Sequence, residues 1–180
     1  MDKFINAILF FAEKTDKEKF GITKLMKLLF YADFLHYEKF GRSIFGDEYY
    51  RLPEGPVPSI SYDIFKKLER GEVPELNGIV KIREKLIGNF VMKQIEGLKR
   101  FDENVFSESD VEVMSEIAER FYNTGGKEMS QKTHEIPFVQ DASRVLPIDY
   151  NVVVEDPNDL AYLKELKKES ESIAYSLNAE

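Results

Sequence analysis

The sequence predicts a mainly α-helical, α+β domain carrying a small antiparallel β-hairpin, and three observations carry that expectation. Apolar residues recur three and four positions apart in several stretches, the mark of helices buried along a face. Two adjacent segments, GIVKIREKL and NFVMKQIEG, alternate with a period of two instead. Hydrophobic residues make up 43% of the chain and charged residues 32%, a balance that excludes a disordered tail and a membrane protein. Its 180 residues suit one domain, with a core over about 3–142 and a C-terminal helix over about 158–177. Folding at this size buries roughly 70% of the unfolded surface, enough for a self-sufficient core.

Asp2 can cap a first helix over 3–14, with Phe4, Ile8 and Phe11 on one stripe. The polar link TDKEKFG leads into a second helix, from about Thr23 to Phe40, which Gly41 stops. Leu25, Leu28, Ala32 and Leu35 line one of its faces, and Phe30, Phe34 and Tyr37 another. A helix apolar on two faces is either central to the core or keeps one face for a partner; large apolar patches are uncommon on monomers, which favours the core. Tyr49 to Leu52 are extended-prone, and EGPVP reads as a turn in which Gly55 frees the backbone and Pro56 fixes φ.

Pro58 and Ser59 open a third helix, SISYDIFKKLERG, with Ile60, Ile64 and Leu68 at helical spacing. The two alternating segments then join near Gly88 and Asn89 as a hairpin. In FSESDVEVMSEIAERFY, Ser107 and Asp110 have the spacing of a capping box, and Phe106 with Val111 that of a hydrophobic staple. That helix runs to about Tyr122. KEMSQKTHEIPF is a shorter helical piece ending before Pro137, and VLPIDYNVVVED reads as loop with a short strand. The last helix sets Leu163, Leu166, Ile173 and Leu177 on a broken seam.

The chain has no cysteine, which excludes disulfides and thiolate chemistry. The apolar run AILFFA is too short to span a bilayer, and no cleavage pattern follows it, so the expectation is a cytoplasmic protein. Thirty-three acids against 25 Lys and Arg give a formal charge of −8, with the basic residues interspersed among acids as in KKLERGE. Direct nucleic-acid binding, which needs a basic face, is disfavoured; a basic protein partner is not.

Asp33 and His36 stand at i and i+3 and share a helix face. With His134 they would complete a two-histidine, one-carboxylate set able to hold iron or to run acid–base chemistry. The plainer account is an Asp33–His36 hydrogen bond that satisfies two buried polar groups, with no metal and no cofactor. Thr133 and His134 are adjacent, and on a helix adjacent side chains diverge by about 100°, so a nucleophile–base pair is disfavoured. No nucleophile elbow, Walker loop or dinucleotide fingerprint occurs, and NTGGKEMS has neither the spacing nor the preceding strand of a phosphate loop. Tyr31, Tyr49 and Tyr50 are amphipathic side chains of the kind that anchor interfaces.

The order of three motifs is more specific than any one of them. KLMKLLFYADFLHYEKFG precedes DEYYRLPEGPVP, and an FSESDVEVMSEIAERFY helix is followed by KTHEIPF. This arrangement resembles the Panacea domain of bacterial and phage antitoxins, over roughly residues 3–142. The helix motif falls on Lys27, Leu28, Leu29, Tyr31, Ala32, Asp33, His36 and Gly41. The extended segment ends at Gly55, Pro56 and Val57, and the distal element falls on Thr133, His134 and Pro137. Phe30 stands where tyrosine is common and Phe138 where tryptophan is usual; both keep the aromatic packing and lose a donor.

The resemblance implies an antitoxin that neutralises a separately encoded toxin by direct contact, without catalytic residues. Some members carry a DNA-binding region for which this chain has no spare length. The expected binding side comprises the exposed edge of the second helix, the Tyr49–Val57 segment and the His134 region. Its candidates are Lys27, Tyr31, Asp33, His36, Tyr49 and Tyr50, with Gly55, Pro56, Val57, Thr133, His134 and Phe138. Two rival readings are a small metal-dependent or acid–base enzyme using Asp33, His36 and His134, and a phage-type protease adaptor or modulator of a host process. A homodimer through an aromatic face stays open.

Overall fold

Asp2–Lys14 forms helix α1, and little of it faces water: Phe4, Ile5, Ala7, Ile8, Leu9, Phe10, Phe11 and Ala12 are all buried. The computed structural model describes residues 2–177, apart from the side chains of Glu75 and of residues 170–177. Asp2 is itself the first helical residue, not the residue before it, and its carbonyl accepts the Asn6 side-chain amide at 3.0 Å. A 3₁₀ turn over Lys17–Lys19, capped by Asp16, turns the chain into helix α2, Ile22–Phe40. Gly41 ends α2 as expected: at φ 68° its amide reaches the Tyr37 carbonyl at 2.8 Å, a left-handed conformation that favours glycine.

Strands β1 (Tyr49–Leu52) and β2 (Gly55–Pro58) pair antiparallel, with Tyr49 opposite Pro58 and Leu52 opposite Gly55. The expected turn over EGPVP is therefore misplaced. The turn is Pro53–Glu54, and Gly-Pro-Val-Pro is a strand, which a two-stranded ribbon tolerates because each strand has an unpaired edge. Helix α3 (Ser59–Glu69) follows directly. Its buried residues are Ser61 and Phe65, with Ile64 and Leu68 half-buried beside them, while Ile60, placed on the apolar stripe by its spacing, is 59% exposed.

Strands β3 (Val80–Ile87) and β4 (Phe90–Gly97) form the anticipated hairpin, with Gly88 at φ 58° in its two-residue turn. The Ile95 amide bonds the Phe20 carbonyl at 2.9 Å, tying the hairpin to the link before α2. Helix α4 (Glu108–Arg120) starts with the capping box in both directions: the Asp110 amide donates to Ser107 Oγ, and the Ser107 amide to Asp110 Oδ2, each at 3.2 Å. Helix α5 (Gly126–His134) is followed by a helix the sequence reading missed, α6 (Pro137–Asp141), whose Pro137 sits in the first turn, where a missing N–H costs nothing.

The expected strand in VLPIDYNVVVED is absent. That stretch makes one strand-like contact, from the Ile148 amide to the Tyr49 carbonyl at 2.8 Å, and then a 3₁₀ turn over Tyr150–Val153. Helix α7 spans Pro157–Leu177. On its expected seam Leu163 is half-buried against Gly41, Leu166 is exposed, and the side chains of Ile173 and Leu177 lie outside the described residues.

Helix α2 separates two apolar clusters. Leu25, Leu28, Leu29 and Ala32 belong to the larger one with α1, α4 and Phe65. Phe30 and Phe34 belong to the smaller, with Tyr49, Val139 and Ile148. Phe34 stacks on Phe138 at 5.4 Å and on Tyr150 at 4.7 Å between ring centres, and Tyr49 meets Phe30 edge-on at 5.5 Å. Each buried phenyl ring contributes about 1.5–3 kcal/mol. Both faces of α2 are thus spent on the core.

Candidate functional site

Asp33 lies at the centre of the smaller cluster with no exposed surface. Its Oδ1 accepts the amides of Ile44 at 2.7 Å and Phe45 at 2.8 Å, and its Oδ2 accepts the hydroxyls of Tyr49 at 2.9 Å and Tyr150 at 3.0 Å. Burial pushes its carboxyl up to about 6, against the pull of these four donors. The Tyr150 hydroxyl also reaches the Asp47 carbonyl at 2.8 Å. Asp47 in turn accepts the amides of Ile60 at 2.9 Å and Ser61 at 2.7 Å, so this aspartate caps α3 from twelve residues before its start at Ser59.

His36 is also buried, but it is not the partner of Asp33. Its Nδ1 donates to the Arg42 carbonyl at 2.7 Å, and Nε2 lies 3.1 Å from Ser109 Oγ and 3.2 Å from Asp110 Oδ1. Burial holds its pKa below the ordinary value, so near neutrality Nε2 accepts the Ser109 hydroxyl. Lys3 and Arg42 flank Asp110 at 3.1 and 2.8 Å; burial works to raise the Asp110 carboxyl, but the Ser107 amide and these cations hold it below its ordinary range. The expected Asp33–His36 bond is therefore replaced by two separate nodes. One ties α2 to the 44–49 segment and the C-terminal turn, the other to the start of α4.

His134 belongs to a third place, the β1–β2 hairpin. Its Nε2 donates to the Pro53 carbonyl at 3.0 Å, Ser130 Oγ donates to the Glu54 carbonyl at 2.7 Å, and Lys27 Nζ donates to the Pro56 carbonyl at 2.8 Å. Gly55, at φ 88°, fits beneath: a Cβ there would come 2.4 Å from Thr133 Oγ1 and 3.4 Å from Lys27 Nζ. Thr133 Oγ1 is itself fixed by the Ser130 carbonyl at 2.7 Å. Three stretches far apart in the chain, at Lys27, Gly55–Pro56 and Thr133, thus meet at one hairpin. Burial pulls the Lys27 amine down to about 8, with Glu54 opposing. Lys24, one turn earlier, is equally buried, donates to the Tyr122 carbonyl at 2.8 Å, and is pulled down to about 8 in the same way.

The three residues of the proposed metal or acid–base set are accordingly held by different partners, and among the described residues no group of three His, Asp or Glu side chains is arranged to hold a metal ion. The remaining candidates divide by burial. Tyr49 is inside. Tyr31 is half-buried, its ring 4.6 Å from that of Phe121, and burial raises its hydroxyl to about 12. Tyr50 bonds Glu48 at 3.0 Å near the surface, Val57 and His134 are half-buried, and Phe138 covers Phe30 and Phe34. Sequence reasoning missed Asp47, Ser130, Tyr150 and Lys24. Only Ser130 had a local signal, since it shares a helix face with Thr133 three residues on.

Beside the hairpin lies a groove of 1110 Å³ bounded by the start of α2, the hairpin turn, α3, the β3–β4 tip and the start of α5. Lys24, Lys27, Val57, Phe65, Phe90 and Met92 are among its walls. No helix among the described residues is long and apolar enough to cross a membrane.

Comparison with curated proteins and with solved structures finds no match. Residues 25–137, from the first turn of α2 to the start of α6, match the family model described as antitoxin SocA-like, Panacea domain. That span contains Asp33, His36 and every residue of the hairpin clamp, though not Tyr150 of the Asp33 node or Lys3 beside Asp110, and the chain belongs to this antitoxin-like family.

Proposed function

We propose that this protein is an antitoxin that binds its cognate toxin directly and silences it by covering the active site or the approach to it. Membership of the antitoxin-like family supports a toxin–antitoxin role, and the clamped hairpin is the observation that carries the finer reading. Three side chains from α2 and α5 hold consecutive parts of one surface turn, which fixes the shape of an exposed loop without leaving it a catalytic task. A preformed surface loses little entropy on binding, so the clamp serves recognition.

On this reading Lys27, Asp33, His36, Tyr49, Gly55, Pro56 and Thr133 hold the surface in place. Tyr50, Val57, His134, Tyr31 and Phe138 stand nearest the partner. The net charge of −8 steers a basic toxin during encounter. The mechanism consumes no cofactor and breaks no bond, and it suits the cytoplasm, where both chains would be made.

The test is co-expression with the neighbouring reading frame. That frame alone should arrest growth, and co-expression of this chain should restore it, with the two proteins co-purifying as a stoichiometric complex. Rescue without any physical complex would refute occlusion, as would a toxin that stays active when bound.

A further inference from the structure

Ser109 and His36 form a hydroxyl–imidazole pair that toxin binding does not use. Ser109 is the second residue of α4 and half-buried, with its Oγ 3.1 Å from His36 Nε2. The His36 ring has no exposed surface, and its other nitrogen donates to the Arg42 carbonyl at 2.7 Å. That bond fixes the proton of the neutral ring on Nδ1 and leaves the Nε2 lone pair facing the serine. A nucleophile and a base within hydrogen-bond reach, the base oriented by a third group, is the arrangement that activates a serine. In this chain the third group is a backbone carbonyl instead of a carboxylate.

Asp110 adds an independent sign of the same chemistry. Its Oδ1 lies 3.2 Å from His36 Nε2, and among the described residues it is the one buried side-chain nitrogen or oxygen that receives no hydrogen bond. Arg42 Nη2 stands 2.8 Å away as a counter-charge without directing a hydrogen at it. With His36 neutral, two acceptors therefore face each other, and a proton on Nε2 turns that contact into a charged hydrogen bond. The Ser109 hydroxyl is in place to supply the proton. Positive charge stands on the outer side of the serine too: Arg42 Nη2 is 3.0 Å from Ser109 Oγ, at the N-terminal end of α4. Ser107 Oγ shares this setting, 2.8 Å from the same Nη2, but His36 bonds Ser109 and not Ser107.

We propose that Ser109 is a nucleophile and a site of acylation, with His36 as its general base, and that it takes a small acyl group from an activated oxygen ester. Oγ attacks the carbonyl carbon while its proton passes to Nε2. The carbonyl oxygen takes up negative charge beside the Arg42 guanidinium, and Asp110 Oδ1 accepts the new Nε2 hydrogen while the imidazolium lasts. The bond from carbon to the departing oxygen then breaks, that oxygen leaves with the electron pair, and the His36 proton follows it. One C–O bond forms, one breaks, and the imidazole returns to its neutral state. The acyl group is small because Arg42 and Ser107 already stand 3.0 and 3.1 Å from Oγ. The proposal goes beyond the antitoxin reading and does not rest on it, and it involves neither Asp33 nor His134.

The full-length chain can be treated with p-nitrophenyl acetate and the acetyl groups located and timed by peptide mass spectrometry. Ser109 should acetylate about a hundredfold faster than Ser107, the lower end of what a positioned base contributes. Ser107 is the internal control, being the more exposed of the two and sharing Arg42 and the helix end. The charged groups facing His36 are Asp110 from α4, Arg42 from the link after α2 and Lys3 from α1. Burial holds the imidazole below its ordinary 6.5, so the Ser109 rate should fall about tenfold per pH unit once the pH drops beneath that lowered value. His36→Gln should bring Ser109 down to the Ser107 rate. Equal rates at Ser109 and Ser107 in the unaltered chain overturn the proposal whether or not the variant folds, because a purely structural hydrogen bond leaves the buried serine no advantage over the exposed one. A folded His36→Gln chain that acetylates Ser109 at the native rate overturns it as well.

Discussion

Replacing Gly55 by alanine should be among the most costly single-methyl additions in this protein, and the cost has two separable parts. A residue with a Cβ at φ 88° gives up about 1–2 kcal/mol to backbone strain. The new methyl would also stand 2.4 Å from Thr133 Oγ1, so the threonine must rotate and surrender its 2.7 Å bond to the Ser130 carbonyl, a buried bond whose loss costs about 1–3 kcal/mol. Together Gly55→Ala should destabilise by roughly 2–5 kcal/mol. Urea unfolding read by circular dichroism measures this directly, and a double-mutant cycle separates the parts. In a Thr133→Ala background the steric part vanishes, so Gly55→Ala should then cost only the strain, about 1–2 kcal/mol. An equal cost in both backgrounds would refute the packing argument, and a cost under about 0.5 kcal/mol in the native background would refute both halves.

Asp33 has a folded-state pKa of about 6, above its ordinary 3.8, so its protonated form is favoured by folding; its contribution is full below pH 4 and lost as pH rises through 6. The stability of the native chain relative to Asp33→Asn should therefore fall by about 3 kcal/mol across that window, measured by urea melts at a series of pH values. Phe34→Ala removes a ring that stacks on both Phe138 and Tyr150, and should cost about 3–5 kcal/mol in the same assay, with loss of near-ultraviolet tyrosine signal. Ser107→Ala deletes one arm of the capping box and should cost about 1 kcal/mol, with amide exchange accelerated at Asp110 and not in the middle of α4.

How much of this was legible in the sequence depends on how local each cause is. The capping box at Ser107 and Asp110, the Gly41 stop and the Gly88 turn are each decided within a few residues, and each stands where it was expected. The Ile60 stripe failed for the opposite reason. Three-and-four spacing finds a helix, but which face is buried depends on what lies beneath it, and under α3 that is decided by Phe65 meeting the main core. EGPVP failed because glycine and proline mark a departure from regular geometry without saying which side of it they occupy. Gly55 does have the positive φ that was anticipated, but as the first residue of a strand.

The Asp33–His36 pair shows why the candidate site was harder to read than the fold. Their spacing is that of two side chains on one helix face, and both are buried, yet each bonds elsewhere because nearer and better donors come from outside the helix: two amides and two tyrosine hydroxyls for Asp33, Ser109 for His36. Tyr150 is more than a hundred residues from Asp33, and nothing in a one-dimensional pattern weighs such a partner. Lys27 makes the same point from the other side. A lysine on a buried helix face looks like an error in the apolar pattern, and becomes intelligible only when the Pro56 carbonyl arrives from another element to meet it. The polar residues that break the hydrophobic rhythm of α2 are therefore the ones that record its tertiary neighbours: Asp33 the 44–49 segment, His36 the start of α4, and Lys27 the hairpin on which the proposed recognition surface is built.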